Sequence, residues 1–150
     1  MKSMHKNTVA AALWAWLALP ALAATPADPA LAKAAAARGA VVTPSGLVYR
    51  SLKDGSGASP SATDTVRVNY RGTFPDGKEF DSSYKRGTPA SFPLNRVVPC
   101  WTEGMQKIKV GGKATLTCPP ATAYGDRGAG GVVPPNATLT FEVELLAIEK

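Results

Sequence analysis

The 150-residue chain reads as an α+β protein, a twisted antiparallel β-sheet wrapped on one short α-helix. Three observations predict this. Several stretches alternate apolar and polar residues with a period of two, a single internal stretch carries helical spacing, and 14 Gly and 13 Pro break the chain into many turns. A sheet that is apolar on one face only needs one covering layer, and the lone helix supplies it.

The elements follow in chain order. Residues 1–23 have the form of a secretory signal peptide: Lys2 and Lys6 without an acid, an apolar run from Val9 to Ala23, and Ala21-Leu22-Ala23 at its end, with cleavage expected after Ala23. The run is shorter than the span of about 20 residues that a membrane helix needs, and no stable membrane insertion is expected after cleavage. Residues 24–45 are rich in Ala and Pro and are expected to form a linker, with one or two helical turns over Leu31–Arg38. The compact domain is expected over 46–150.

Within that domain Leu47–Lys53 reads as a strand and Asp54-Gly55-Ser56-Gly57 as a turn. Asp64–Phe74 is the clearest strand, with Val66, Val68, Tyr70 and Phe74 on one face and Thr65, Arg67, Asn69, Arg71 and Thr73 on the other. After the Pro75-Asp76-Gly77 turn, Lys78–Asp81 resumes as strand. Val98–Ile108 alone reads as helix, with Pro99 in its first turn, Trp101, Met105 and Ile108 on one side, and Gly111-Gly112 beyond its end. Lys113–Cys118 points Ala114, Leu116 and Cys118 inward. Thr138–Ile148 does the same through Leu139, Phe141, Val143 and Leu145, and its phase slips at Leu145-Leu146, as at a bulge. The glycine-rich run Gly125–Gly131 is expected to be a flexible surface loop.

Composition excludes much chemistry. The only histidine is His5, inside the expected signal peptide, so the mature chain has neither a Ser-His-Asp nor a Cys-His mechanism, and no histidine zinc site. Two cysteines cannot form a four-cysteine site. No glycine-rich phosphate motif follows a strand, and neither a metal nor a cofactor is expected. Removing Lys2 and Lys6 leaves 15 basic and 11 acidic residues, a charge of +4, too mild and too evenly spread to indicate nucleic acid. Cys100 and Cys118 stand 18 residues apart. They are either two small buried residues or a disulfide tying helix to sheet, which export favours and which is worth about 3 kcal/mol.

The unusual supply is aromatic: Tyr49, Tyr70, Phe74, Phe80, Tyr84, Phe92, Trp101, Tyr124 and Phe141. Taken singly, each is accounted for as core. Taken together, they are enough to line a shallow apolar cleft with Asp81 as its polar feature.

Six blocks in order carry a resemblance: Val68-Asn69-Tyr70-Arg71-Gly72; Gly77-Lys78-Glu79-Phe80-Asp81-Ser82-Ser83; Val97-Val98-Pro99-Cys100-Trp101-Thr102-Glu103-Gly104; Ala123-Tyr124-Gly125; Val132-Val133-Pro134-Pro135-Asn136-Ala137-Thr138-Leu139; and Phe141-Glu142-Val143-Glu144-Leu145. The series resembles the FKBP-type peptidyl-prolyl cis-trans isomerases over about 105 residues, Gly46 to Lys150. The exported, Ala-rich start is similar to the periplasmic bacterial members. The helical dimerisation arm that some of them carry has no counterpart here, so a monomer is expected.

The resemblance implies a proline pocket with Trp101 as its floor and Tyr70, Phe80, Phe92, Val97, Val98, Tyr124 and Phe141 around it. Asp81, Tyr70 and Tyr124 are the residues it implies for catalysis, and the Val98 N–H would hold a substrate carbonyl. It implies proline-containing unfolded or newly exported polypeptides as substrates, macrolides as inhibitors and the periplasm as location. Ala90 and Ala129 depart from bulkier residues common in the family, which lowers one rim.

Resonance raises a barrier of about 18–20 kcal/mol to rotation about a peptide bond, and X-Pro bonds exchange over tens to hundreds of seconds. A site that prefers the twisted amide to both planar forms accelerates exchange without a nucleophile or a proton relay. Asp81 is expected to orient a neighbour, Tyr70 or an N–H, and not to act as a general base. The alternative function is a non-catalytic chaperone or peptide-binding module using the same cleft.

Overall fold

The computed structural model describes residues 28–149. The expected signal peptide, its cleavage point and His5 lie outside them. Seven strands, β1 (Ala40–Val42), β2 (Val48–Lys53), β3 (Thr65–Thr73), β4 (Glu79–Ser82), β5 (Ala90–Pro93), β6 (Lys113–Cys118) and β7 (Leu139–Glu149), form one antiparallel sheet. Its order is β1-β2-β6-β7-β3-β4, with β5 also on β3. The helices are α1 (Pro29–Ala35), α2 (Ser83–Arg86) and α3 (Pro99–Met105). Among the described residues no helix is long and apolar enough to cross a membrane.

The expected α+β class holds, and α3 is the helix against the apolar face. Val66, Val68, Leu116, Leu139, Val143 and Leu145 are fully buried beneath it, with Leu94, Cys100 and Met105 on the covering side. Alternation is the physical cause: β3 buries Val66, Val68, Tyr70 and Gly72 in turn, and β7 buries Leu139, Phe141, Val143 and Leu145. The helix approaches closely at Gly104, where a Cβ would lie 2.7 Å from Leu116 Cδ2.

Several expectations need correction. α3 stops at Met105, not at Ile108, because Lys107 and Ile108 bond back three residues, to Gly104 and Met105, and tighten the last turn. Ile108 is buried all the same. The helical turns expected over Leu31–Arg38 are present as α1, which starts two residues earlier and ends at Ala35, and the same stretch also carries β1, which was not expected and pairs with β2. Asp28 caps α1 through the Ala30 N–H at 2.8 Å and also accepts from the Thr138 hydroxyl, while Leu31 is buried. One apolar anchor and a three-residue strand are too short to register as periodicity. The Gly125–Gly131 run is not loose either: Ala129 and Val133 exchange both backbone hydrogen bonds, and Asn136 N–H bonds Gly125 O at 2.8 Å.

The slip at Leu145-Leu146 is a bulge. Arg67 pairs with Ala147 and Val68 with Leu145, leaving Leu146 unpaired. A second bulge, on β4, leaves no slip in the sequence pattern. Gly72 pairs with Asp81 and Thr73 with Glu79, so Phe80 is the extra residue.

Candidate active site

The β4 bulge shapes the site. Neighbours on a regular strand face opposite sides of a sheet, but an extra residue re-aims its side chain. Phe80 and Asp81 therefore both line one cavity of about 410 Å³, together with Tyr70, Phe92, Arg96, Val97, Val98, Trp101, Tyr124 and Phe141. Glycine at position 72 makes room for this, since a Cβ there would sit 2.5 Å from Phe80 Cζ.

Trp101 forms the floor. It is delivered by the first turn of α3, which Pro99 starts and Val98 caps. Tyr70, Phe92 and Phe141 stand around the indole with ring centroids 5.4 Å from it at interplanar angles of 84–90°. Edge-to-face contacts of this kind add about 0.5–1.5 kcal/mol each beyond burial. They hold the floor rigid. The indole Nε1–H is buried with no acceptor among the described residues. Phe80 stands edge-on to Phe141 at 5.7 Å, whereas Tyr124 is 41% exposed at the mouth.

Asp81 is the polar feature, and its partners are fixed. Tyr70 donates its hydroxyl to Asp81 Oδ2 at 2.6 Å. Arg86 donates Nη1 to Asp81 Oδ1 at 2.6 Å and Nη2 to the Tyr70 hydroxyl at 2.9 Å. The Ser82 N–H bonds Asp81 Oδ1 as well. The Arg86 guanidinium also lies 5.6 Å from the Tyr70 ring centre. α2 brings Arg86 back onto the site: Ser82 caps its start, and Gly87, at φ 76°, ends it in a left-handed conformation that glycine adopts without strain.

These contacts set the electrostatics. Burial pushes the Asp81 carboxyl upward, but the hydrogen bonds from Tyr70 and Arg86, with the guanidinium charge, outweigh it and hold the group below the ordinary carboxylate value. Burial, and then the hydrogen bond to Asp81, raise the Tyr70 phenol. Asp81 is thus an anion, and Tyr70 a neutral donor, across the neutral range. A carboxylate so engaged is an orienting acceptor and a poor proton shuttle.

The structure brings together all nine residues expected at the site: Asp81, Tyr70, Tyr124, Phe80, Val97, Val98, Trp101, Phe141 and Phe92. Neither Ala90 nor Ala129 reaches the cavity wall. Arg86 and Arg96 carry no sequence signal of their own, because an arginine in a polar loop looks like any solvated charge. Only the Asp81 carboxylate five residues upstream and the Tyr70 hydroxyl sixteen residues upstream point to Arg86. Beneath the floor, Cys100 and Cys118 form a disulfide with a Cα–Cα distance of 5.9 Å. The bridge fastens the start of α3 to the end of β6.

Comparison with known proteins agrees with this geometry. Residues 57–146 match the family model described as FKBP-type peptidyl-prolyl cis-trans isomerase. The chain is 55% identical over 120 residues to the FKBP-type peptidyl-prolyl cis-trans isomerase FkpA of Aeromonas hydrophila, covering 80% of this chain and 44% of that protein. It therefore spans less than half the length of this relative. The crystal structure of FkpA from Escherichia coli superposes with a TM-score of 0.77 at 42% identity, covering 99% of this chain and 74% of the other. A peptidyl-prolyl cis-trans isomerase structure from Pseudomonas syringae pv. tomato gives 0.75 at 36% identity, covering 81% and 89%. The bulge that turns Phe80 and Asp81 into one aromatic cavity and the match over residues 57–146 lead to one conclusion: this chain belongs to the FKBP-type peptidyl-prolyl cis-trans isomerase family.

Proposed function

We propose that this protein accelerates cis-trans isomerisation of X-Pro bonds in unfolded or newly exported polypeptides, as a periplasmic enzyme entering through a cleavable signal peptide. The observation that carries the reading is the cavity itself, a rigid indole floor ringed by Tyr70, Phe80, Phe92 and Phe141, with its single carboxylate already paired. A planar amide is dipolar, and its twisted form is less so. Moving the amide into an apolar cavity therefore costs the planar forms more than the twisted one, which lowers the barrier between them.

The Val98 N–H sits at the start of α3, where the first N–H groups lack helical acceptors. In this reading it holds a substrate carbonyl while the rest of the peptide turns. Asp81 and Arg86 keep the Tyr70 ring in position, and Tyr124 closes the mouth. An acceleration of 10⁴-fold requires about 5.5 kcal/mol of differential binding, shared among these residues.

The test is exchange of a short X-Pro peptide with and without a macrolide of the kind that inhibits this family. Acceleration that the macrolide abolishes is the expected result. Folded protein that leaves the exchange rate unchanged would overturn the proposal. Absence of Ala90 and Ala129 from the cavity wall favours a second reading, a chaperone or peptide-binding module with an open rim. Suppression of aggregation by an Asp81→Leu variant inactive towards peptides would support it.

A further inference from the structure

Arg96 lines the cavity mouth and has no role in the chemistry described above. It is exposed, closing the short 3-10 turn Leu94–Arg96 just before Val97 and Val98. That turn is firmly seated: Leu94 is fully buried, its N–H bonds Asp64 O at 2.9 Å, and its carbonyl accepts from the Thr102 hydroxyl. The backbone that carries the guanidinium is thus held relative to the pocket floor.

Arg96 forms no salt bridge among the described residues. Asp81, the one carboxylate that lines the cavity, is engaged with Arg86. The Asp81–Arg86 pair cancels its own charge, so the cavity mouth presents one uncompensated cation. A guanidinium takes a carboxylate through two parallel hydrogen bonds.

We infer that Arg96 is a specificity-determining residue that selects peptides with Asp or Glu beside the proline. A prolyl ring on Trp101 and a backbone carbonyl on the Val98 N–H leave the flanking residues of the peptide at the rim, where Arg96 stands two positions from Val98. The inference rests on the proline-isomerase reading. Solvent-exposed pairs contribute little, about two- to fivefold in an equilibrium or rate ratio, and salt screens them.

The experiment compares peptides carrying Glu, Leu or Lys immediately before the proline, and a second set carrying them immediately after it. Isomerisation rates are measured together with the anisotropy of dye-labelled versions, so that binding is read even where catalysis is absent. The Glu-to-Leu ratio of kcat/KM is expected to fall two- to fivefold in Arg96→Ala on at least one flank, to survive in Arg96→Lys, and to give way to a preference for Lys in Arg96→Glu. The Glu advantage should shrink between 20 mM and 500 mM salt. If the ratios in rate and in affinity are the same in Arg96→Ala and Arg96→Glu as in the parent, the inference is overturned. Absence of isomerisation with every peptide would overturn the enzyme reading instead, and the anisotropy ratios would still decide the role of Arg96.

Discussion

Breaking the Cys100–Cys118 bridge is the perturbation whose size follows most directly from the structure. Eighteen residues separate the two cysteines. Closing a loop of that length removes about 11 cal/mol/K from the unfolded chain, or about 3 kcal/mol at 25 °C. Both residues are fully buried, between a helix and a strand that are already packed together, so reduction opens the loop and pushes the two sulfurs apart within the core while leaving the helix and strand in place. The assay is urea unfolding of the oxidised and the dithiothreitol-reduced protein, followed by circular dichroism. With a slope of about 1.5 kcal/mol/M, the midpoint of the reduced form should fall by about 2 M. Thiol titration of unfolded, unreduced protein should find no free thiol. Two titratable thiols, or unfolding curves that coincide, would refute the reasoning. Because Trp101 follows Cys100 in α3, the reduced protein should also bind a macrolide more weakly while its far-ultraviolet spectrum is unchanged.

Other outcomes follow from single residues. Gly72→Ala places a methyl group against the Phe80 ring; we expect a loss of about 1–3 kcal/mol in unfolding free energy and weakened peptide binding, and unaltered binding would mean that Phe80 does not shape the pocket. Isomerase activity should be flat between about pH 5 and 9, since Asp81 titrates below its ordinary value of 3.8 and Tyr70 above 10.0; a bell-shaped profile inside that window would implicate a proton transfer. Because the folded Asp81 value is depressed, the stability this carboxylate contributes is present above the unfolded value and is lost as pH falls through the folded one, so acid unfolding of Asp81→Asn should begin from a less stable plateau and depend less on pH. Asp28→Ala removes both the cap of α1 and the partner of the buried Thr138 hydroxyl; a cost of about 1 kcal/mol in urea unfolding is expected, and no change would mean that α1 is not held by this contact.

Apolar periodicity and residue order are enough to specify the class of fold and most of the cavity. Burial of one sheet face forces a period of two on β3, β6 and β7, and that pattern can be counted residue by residue. Even the Leu146 bulge appears as a slip in the count. Order along the chain likewise brings out eight of the nine expected cavity residues, through six blocks whose spacing an unrelated sequence would not reproduce; Phe92 lies between two of the blocks. Tertiary structure decided what depends on geometry between elements. The Phe80 bulge has no signature in composition, because it arises from how β4 pairs with β3 across Gly72. β5 and β1 are too short for alternation to emerge, and Ala90 and Val41 acquire their places from the strands beside them. Arg86 and Arg96 are the clearest case. A charge in a loop takes its meaning from what faces it in space, and only the fold brings one onto Asp81 and leaves the other without an ion pair among the described residues at the cavity mouth.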